Sequence, residues 1–288
     1  EEGLAVAGEL RSARPEVAAD IYLMLGESYV HGFEYVKGLG LLEQARALAV
    51  ESGDRDVLGQ VCNSLGRCHQ RQGDHEKAVE EFAKARAIVV ELGHREYEGT
   101  VCTNLGLSYT ALKQYDKAIE LFEQSLAIKE AVGNKCGQEA PCVELGRCLS
   151  RHGQHDRAVA CLKHAWAVFQ QQGDGVDQVR AAKTLGEALW ARARAEHHQA
   201  APDATSCGGV SAASADTLQE AETWLRTALD LAEKLGCLKH RMDAQMHLAY
   251  VAMMKGDEDE AVELLSQHCL LYTSDAADDT PCVDLGGR

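Results

Sequence analysis

The sequence contains little proline and little phenylalanine, with only 4 of each among its 288 residues. Proline breaks helices, whereas aromatic and β-branched side chains favour strands. Hydrophobic residues still make up 45% of the chain, much of it alanine and leucine. This composition is typical of an all-helical protein.

Basic charge is also scarce, because 29 Lys and Arg residues stand against 45 Asp and Glu residues, giving a formal net charge of -16. Nucleic acids and anionic membrane surfaces attract clustered Lys and Arg, so we expect neither as a partner. The sequence has no apolar run of about 18 residues that could span a bilayer. It also does not open with the basic and apolar segments of a signal peptide. We therefore predict a cytoplasmic location, and because no Met opens the chain we expect a fragment.

The sequence lacks common catalytic motifs. It contains no Gly-Lys-Ser/Thr phosphate loop, no Gly-x-Ser-x-Gly elbow and no His-Glu-x-x-His metal motif. Gly38 and Gly40 supply two glycines of a nucleotide loop, but they lie inside a predicted helix with no preceding strand. We therefore predict a protein that is not an enzyme and needs no cofactor.

A Leu-Gly pair recurs at a constant interval along the chain. The five pairs are Leu25-Gly26, Leu65-Gly66, Leu105-Gly106, Leu145-Gly146 and Leu185-Gly186. A period of this length, roughly 20 to 50 residues, marks stacked repeats rather than a single closed globule. Further along each repeat a large residue lies between two small ones, as in Ala78, Phe82 and Ala85. This pattern predicts two helices in close contact, so each repeat is a helix hairpin.

The fifth repeat departs from this spacing. Its first small residue is Ala221, which lies much farther from Gly186 than Ala78 lies from Gly66, so a segment is inserted between them. The segment 192–215 is poor in apolar residues, and we predict a disordered loop there. The register then resumes, because the interval from Ala221 to Ala261 again equals that between successive Leu-Gly pairs.

The Leu-Gly pair, the aromatic residue three positions later (Tyr29 and Tyr109) and the small-large-small pattern resemble the tetratricopeptide repeat. The resemblance covers residues 11 to about 268. The repeat of this chain is longer than the family's usual period of about 34 residues. In this respect it resembles the arrays of LGN/Pins cell-polarity adaptors, kinesin light chains and ciliary scaffolds.

The resemblance implies an all-α fold, an α-solenoid of about six antiparallel helix hairpins that form a right-handed superhelix. The array is expected over residues 1–268. Its repeats are expected near 17–53, 57–93, 97–133, 137–173 and 177–236, with an incomplete one at 240–268. Residues 269–278 resemble the translation of a sequencing-library adapter, so we interpret 269–288 as an artefact or a disordered tail. The alternative is a natural acidic tail.

The eleven cysteines raise the possibility of a metal site. Ligand-type residues lie at close spacing at Cys148, His152, His155 and Cys161. In the repeat alignment, however, Cys148 falls at the position of Cys68, and His155 replaces an aromatic, Tyr115. Residues at one repeat position lie a whole repeat apart and cannot share a metal ion. We therefore expect packing, with no metal and no disulfide, and keep a metal sensor as the alternative.

In the tetratricopeptide family the first helix of each hairpin, helix A, lines a concave groove that holds extended peptides or partner helices. The resemblance places these groove residues at Asn63, Arg67, Arg71, Asn104, Arg147, Arg151, Arg180, Lys183 and Trp190. A basic groove in an acidic chain predicts an acidic or carboxylate-terminated peptide, which arginine binds in a bidentate manner. Asn63 and Asn104 are expected to bond the peptide backbone.

Two alternatives concern this groove. Arg67 and Arg71 lie one turn apart and could simply pair with nearby glutamates. Trp190 and the following Met246, Tyr250, Met253 and Met254 make the other end apolar, either as a ligand pocket or as the seat of a further repeat.

The predicted function is a non-enzymatic interaction scaffold that binds a protein or peptide. The alternative is a docking or regulatory part of a larger enzyme or signalling protein, and the oligomeric state stays open.

Overall fold

The computed structural model describes residues 2–11, 13–133, 139–200 and 212–277. These residues form thirteen helices and no strand. The helices are α1 (Glu2–Leu10), α2 (Pro15–His31), α3 (Tyr35–Ser52), α4 (Arg55–Arg71), α5 (His75–Leu92), α6 (Arg95–Ala111), α7 (Tyr115–Ala131), α8 (Glu139–Arg151), α9 (His155–Gln172), α10 (Gly175–Ala200), α11 (Ala212–Lys234), α12 (Leu238–Lys255) and α13 (Glu258–Ala277). None of these helices is long and apolar enough to cross a membrane.

The chain divides into two compact units, residues 1–148 and 149–288, here called the N-terminal and C-terminal halves. In the N-terminal half α2 packs on α3, α4 on α5 and α6 on α7. In the C-terminal half α10 packs on α11 and α12 on α13. The predicted all-α array of consecutive helix hairpins is therefore confirmed.

The glycine of the Leu-Gly pair allows the two helices of a hairpin to approach closely. A Cβ atom at Gly106 would lie 2.8 Å from Cε1 of Phe122, and one at Gly66 would lie 2.7 Å from Cδ1 of Phe82. The large residue of the second helix, helix B, thus fills the space left by the missing side chain. It is completely buried in each of five hairpins, at Leu42, Phe82, Phe122, Leu162 and Leu225.

Residues with positive φ form the turn between helix A and helix B. Gly73 and Gly153 occupy this position with φ of 83°. At the equivalent position the first and third repeats have Phe33 (φ 63°) and Lys113 (φ 58°) instead. The left-handed conformation suits glycine and costs other residues roughly 1 kcal/mol, so these two turns are strained.

The prediction of a disordered loop over 192–215 is wrong at both of its ends. Helix α10 continues to Ala200 and α11 begins at Ala212. Alanine-rich segments have high helix propensity, and the added turns bury Ala193 and Ser214 completely. The middle of the predicted loop, 201–211, lies outside the described residues.

The predicted tail is likewise helical where the structure describes it. Helix α13 continues to Ala277, so residues 269–277 extend the last helix instead of ending it. Residues 278–288 lie outside the described part of the chain.

Candidate peptide-binding face

Polar helix A residues of the N-terminal half lie side by side across α2, α4 and α6, and Asn63, Ser64 and Ser108 among them are buried. We call this surface the N-terminal face. Its residues are Glu27, His31, Asn63, Ser64, Arg67, Gln70, Arg71, Asn104 and Ser108. Hydrogen bonds and one ion pair connect neighbouring helices along it.

Arg67 has partners within the chain. Its Nη1 atom lies 3.7 Å from Oε1 of Glu27, and its Nη2 atom lies 3.1 Å from Nε2 of His31. The same Glu27 oxygen accepts a 2.6 Å hydrogen bond from the Ser64 hydroxyl. Glu27, Ser64 and Arg67 line, together with Val30, a shallow depression of the surface. For Arg67 the alternative of pairing with a nearby glutamate is therefore confirmed.

The other arginines predicted for the groove fall into two groups. Arg147 lies 3.2 Å from Glu144 on its own helix. Arg71 is exposed and makes no ion pair with any residue that the structure describes. Arg151, which belongs to the C-terminal half, is exposed and equally unpaired among the described residues. Arg71 is thus the free cation of the N-terminal face.

The two predicted asparagines contact each other. Nδ2 of Asn104 donates a 3.0 Å hydrogen bond to Oδ1 of Asn63. Asn63 is only 5% exposed, and near it burial and the Glu27 carboxylate raise the pKa of the Tyr97 hydroxyl. Asn104 is half-buried, and its backbone carbonyl accepts a 3.3 Å bond from the Gln70 amide. Asn104 is therefore the more accessible amide of the two.

In the C-terminal half, acidic residues pair with two of the predicted basic residues, Arg180 and Lys183. Arg180 donates to Asp177 at 2.6 Å on its own helix. Lys183 donates to Asp243 at 2.7 Å, which connects α10 with α12. This surface therefore offers a carboxylate little uncompensated positive charge at Arg180 and Lys183.

Trp190 lies further along the same surface and contacts two residues. Its ring stacks on Tyr250, with centroids 5.7 Å apart and an interplanar angle of 28°. The guanidinium of Arg194 lies 4.8 Å from the centre of the indole. The structure thus brings Trp190 and Tyr250 together, as predicted for the apolar end of the groove.

Four of the cysteines in the part of the chain that the structure describes are buried, packed thiols. Cys62 and Cys102 are buried at one repeat position, and Cys68 and Cys148 at another. Burial and the nearby Glu81 carboxylate raise the pKa of the Cys62 thiol to about 11, so it stays protonated at neutral pH. No three His, Cys, Asp or Glu side chains within the described ranges are grouped so that they could hold a metal ion.

The sequence did not point to three acidic partners of this surface. Glu27, Glu144 and Asp243 were not selected, although they occupy helix A positions of their repeats. A signal was present in the spacing, because residues at equivalent positions of successive helices lie side by side. Asp243 was harder to find, since the insertion separates it by 60 residues from Lys183.

The family model of the tetratricopeptide repeat matches residues 17–89 and 60–131. Residues 17–131 carry tetratricopeptide repeats. No curated protein matches the sequence. The likeness to LGN/Pins and ciliary arrays stays a prediction.

Several solved structures resemble the chain in fold. TPR-like repeats described as a kinesin light chain from Podosopora anserina are 20% identical, with a TM-score of 0.60, covering 80% of this chain and 97% of that one. A STAND ATPase with a tetratricopeptide repeat sensor from Pyrococcus horikoshii is 18% identical with a TM-score of 0.70, covering 93% of this chain and 39% of that one. A Rap protein complexed with Competence and Sporulation Factor is 16% identical with a TM-score of 0.58, covering 90% and 64%.

Proposed function

We propose that this tetratricopeptide repeat chain is a non-enzymatic, cytoplasmic interaction scaffold that holds an acidic or carboxylate-terminated peptide or helix on the N-terminal face. The observation that carries the proposal is Arg71, an exposed guanidinium without an ion pair among the described residues. Nucleic acid and membrane surfaces are not the proposed partners, because the chain has a formal net charge of -16.

The contacts assign different roles to the two arginines of α4. Arg71 is free to form a bidentate bond with a carboxylate. Arg67 already forms an ion pair with Glu27, so it attracts a partner's carboxylate less strongly. Arg71 is the unpaired cation of the N-terminal face, so on this face an acidic ligand is favoured at the C-terminal end of α4.

Amides of the same face can bond the peptide backbone. Asn104 is half-buried, and its side chain is held in place by the hydrogen bond to Asn63. A fixed amide loses little conformational entropy when it binds, which favours recognition of an extended chain. We therefore propose Asn104 as the backbone contact and Asn63 as the residue that positions it.

One solved structure with a similar fold contains a bound partner. The Rap protein, whose fold resembles this chain at a TM-score of 0.58, is complexed with Competence and Sporulation Factor. This likeness supports a binding role for the array. The chemistry of the ligand is inferred from the residues of this chain alone.

The proposal is tested with a fluorescein-labelled decaglutamate peptide and fluorescence anisotropy. Arg71→Glu is expected to weaken binding at least tenfold, because it replaces the free cation by a like charge. Lys37→Glu, which changes the net charge equally on helix B of the first repeat, is the matched control. Equal losses in both variants, or no loss in Arg71→Glu, would contradict the proposal.

A second candidate role is that of a docking or regulatory part of a larger enzyme or signalling protein. It is favoured by the STAND ATPase, in which the region similar to this chain makes up 39% of the polypeptide. Sequencing the full-length transcript tests this role. An open reading frame without any catalytic domain would exclude it.

A further inference from the structure

Successive A helices contact each other through three recurring positions. Counted from the Leu of the Leu-Gly pair, they lie two residues before it, two residues after it and five residues after it. We call them the first, middle and last contact positions. At the first position Asn63 meets Asn104, and at the last position Gln70 donates to Ser108 at 3.1 Å. At the middle position Glu27 accepts from Ser64.

The C-terminal half uses the same three positions between α10 and α12. Lys183 at the first position donates to Asp243. Glu187 at the middle position lies 3.7 Å from His247. Trp190 at the last position stacks on Tyr250, as described above. These positions therefore define the side of each helix A that the next helix A covers.

On α12, where Leu248 and Ala249 take the place of the Leu-Gly pair, the three contact positions are Met246, Tyr250 and Met253. No described helix A follows α12, and Tyr250 is 39% and Met253 58% exposed. All three side chains are large and carry no formal charge at neutral pH. Methionine and tyrosine are common at protein-binding surfaces, because methionine adapts its shape and tyrosine combines a large apolar ring with a polar end.

The last helix B shows the same opening. Leu265 occupies the position of Leu42, Phe82, Phe122, Leu162 and Leu225, all of which are completely inaccessible, yet Leu265 is 38% exposed. In the second repeat Phe82 belongs to one buried cluster with Val101 and Leu105 of the following helix A. The exposure of Leu265 corresponds to the absence of such a helix in the described part of the chain.

We propose that Met246, Tyr250, Met253 and Leu265 form an end face that binds one amphipathic helix of a partner protein. This face continues the interface that α10 makes with α12. The partner helix carries apolar residues at positions i and i+4, as Val101 and Leu105 do in α6, and an uncharged stripe opposite the methionines. This site is separate from the N-terminal face and does not depend on its function.

A second copy of the chain is the less favourable occupant. To pack on the end face, the second copy would need a helix A whose apolar edge is exposed. In the described residues these edges are buried, as at Val61, Leu65, Ala181 and Leu185. The edge of α2 lies against α1, since a Cβ atom at Gly3 would come within 3.4 Å of Leu25.

The test uses the full chain and a labelled synthetic peptide with the sequence of α6, residues 95–111, under reducing conditions. The expected result is saturable binding that falls at least tenfold in Leu265→Gln and in Met253→Gln. Leu92→Gln and Met24→Gln, which change equally exposed or more exposed residues away from the end face, are expected to bind as the unaltered chain does. A peptide with Val101→Asp and Leu105→Asp is expected not to bind.

Two results would overturn the proposal. One is equal binding of the α6 peptide by the end-face variants and the unaltered chain, or no saturable binding by either. The other is self-association in sedimentation velocity that is lost in Leu265→Gln, because it would assign the face to a second copy. Circular dichroism confirms that each variant keeps its helical content.

Discussion

Asn104 donates its side-chain amide to Asn63, although the two residues are 41 positions apart in the chain. The hydrogen bond joins α4 to α6 across the proposed peptide-binding face. The two amides occupy similar places in the sequence of their repeats, but they differ in exposure. Asn63 is nearly inaccessible, whereas Asn104 is half-buried.

Asn63→Ala is expected to destabilise the chain by about 1–2 kcal/mol, because it leaves the buried side of the Asn104 amide without its acceptor. Urea unfolding followed by circular dichroism measures this loss. Gln60→Ala changes an exposed residue of the same helix and is expected to have little effect. Equal stabilities of the two variants would show that the bond contributes nothing.

Gly106→Ala is expected to destabilise the fold by about 1–3 kcal/mol, because the added Cβ atom would lie 2.8 Å from the buried Phe122 ring. Gly40→Ala is the matched control, since a Cβ atom there has no neighbour within 4 Å. It lies within α3, where alanine favours the helix by roughly 0.5–1 kcal/mol over glycine. The two substitutions should therefore shift the thermal midpoint in opposite directions, and a common direction would contradict this packing.

Lys113→Gly is expected to stabilise the chain by about 1 kcal/mol, because Lys113 has φ of 58° at the turn between α6 and α7. The reverse change, Gly73→Ala at the equivalent turn of the second repeat, is expected to destabilise it by a similar amount. Denaturant midpoints measure both effects. If Lys113→Gly lowers the midpoint, relief of turn strain is not the dominant effect.

His155→Tyr is expected to reduce the loss of stability in acid. Burial lowers the pKa of His155 from 6.5, the nearby Arg192 and Arg194 lower it further, and Asp156 and Glu196 oppose them. The unfolded chain therefore binds the proton more readily, so stability falls as the pH drops below about 6.5 and levels off below the folded-state pKa.

Tyrosine suits the site, because Tyr115 occupies the equivalent position of the third repeat. Unfolding midpoints measured between pH 8 and pH 5 should fall less steeply in His155→Tyr than in the unaltered chain. His197→Tyr, further along the extended α10, is the control. A slope that His155→Tyr leaves unchanged would remove His155 as a source of the acid sensitivity.

The repeat pattern predicted the hairpins well, because close helix contact limits the residues at a few positions. Gly66 and Gly106 stand where a side chain would collide with Phe82 and Phe122. The insertion was predicted less well. The ends of the predicted loop, which contain several alanines, instead extend α10 and α11 as packed helix.

The candidate site was predictable only in part. The helix A positions of Arg67, Arg71 and Asn104 follow from the register of the repeat. The register does not show which of these side chains lacks a partner, because the partners belong to another helix. Arg67 is partly neutralised by Glu27, whereas Arg71 has no such partner in the described chain.

The sequence by itself determined the repeat, its length and the buried faces of the hairpins, because these depend on spacing within one repeat. Tertiary structure decided the charge and accessibility of the surface. The pairs Glu27 with Arg67, Asn63 with Asn104 and Lys183 with Asp243 each join residues that lie at least one repeat apart in the chain. Such pairs form only when successive repeats stack, and the stacking that forms them leaves Tyr250, Met253 and Leu265 exposed where no described helix follows.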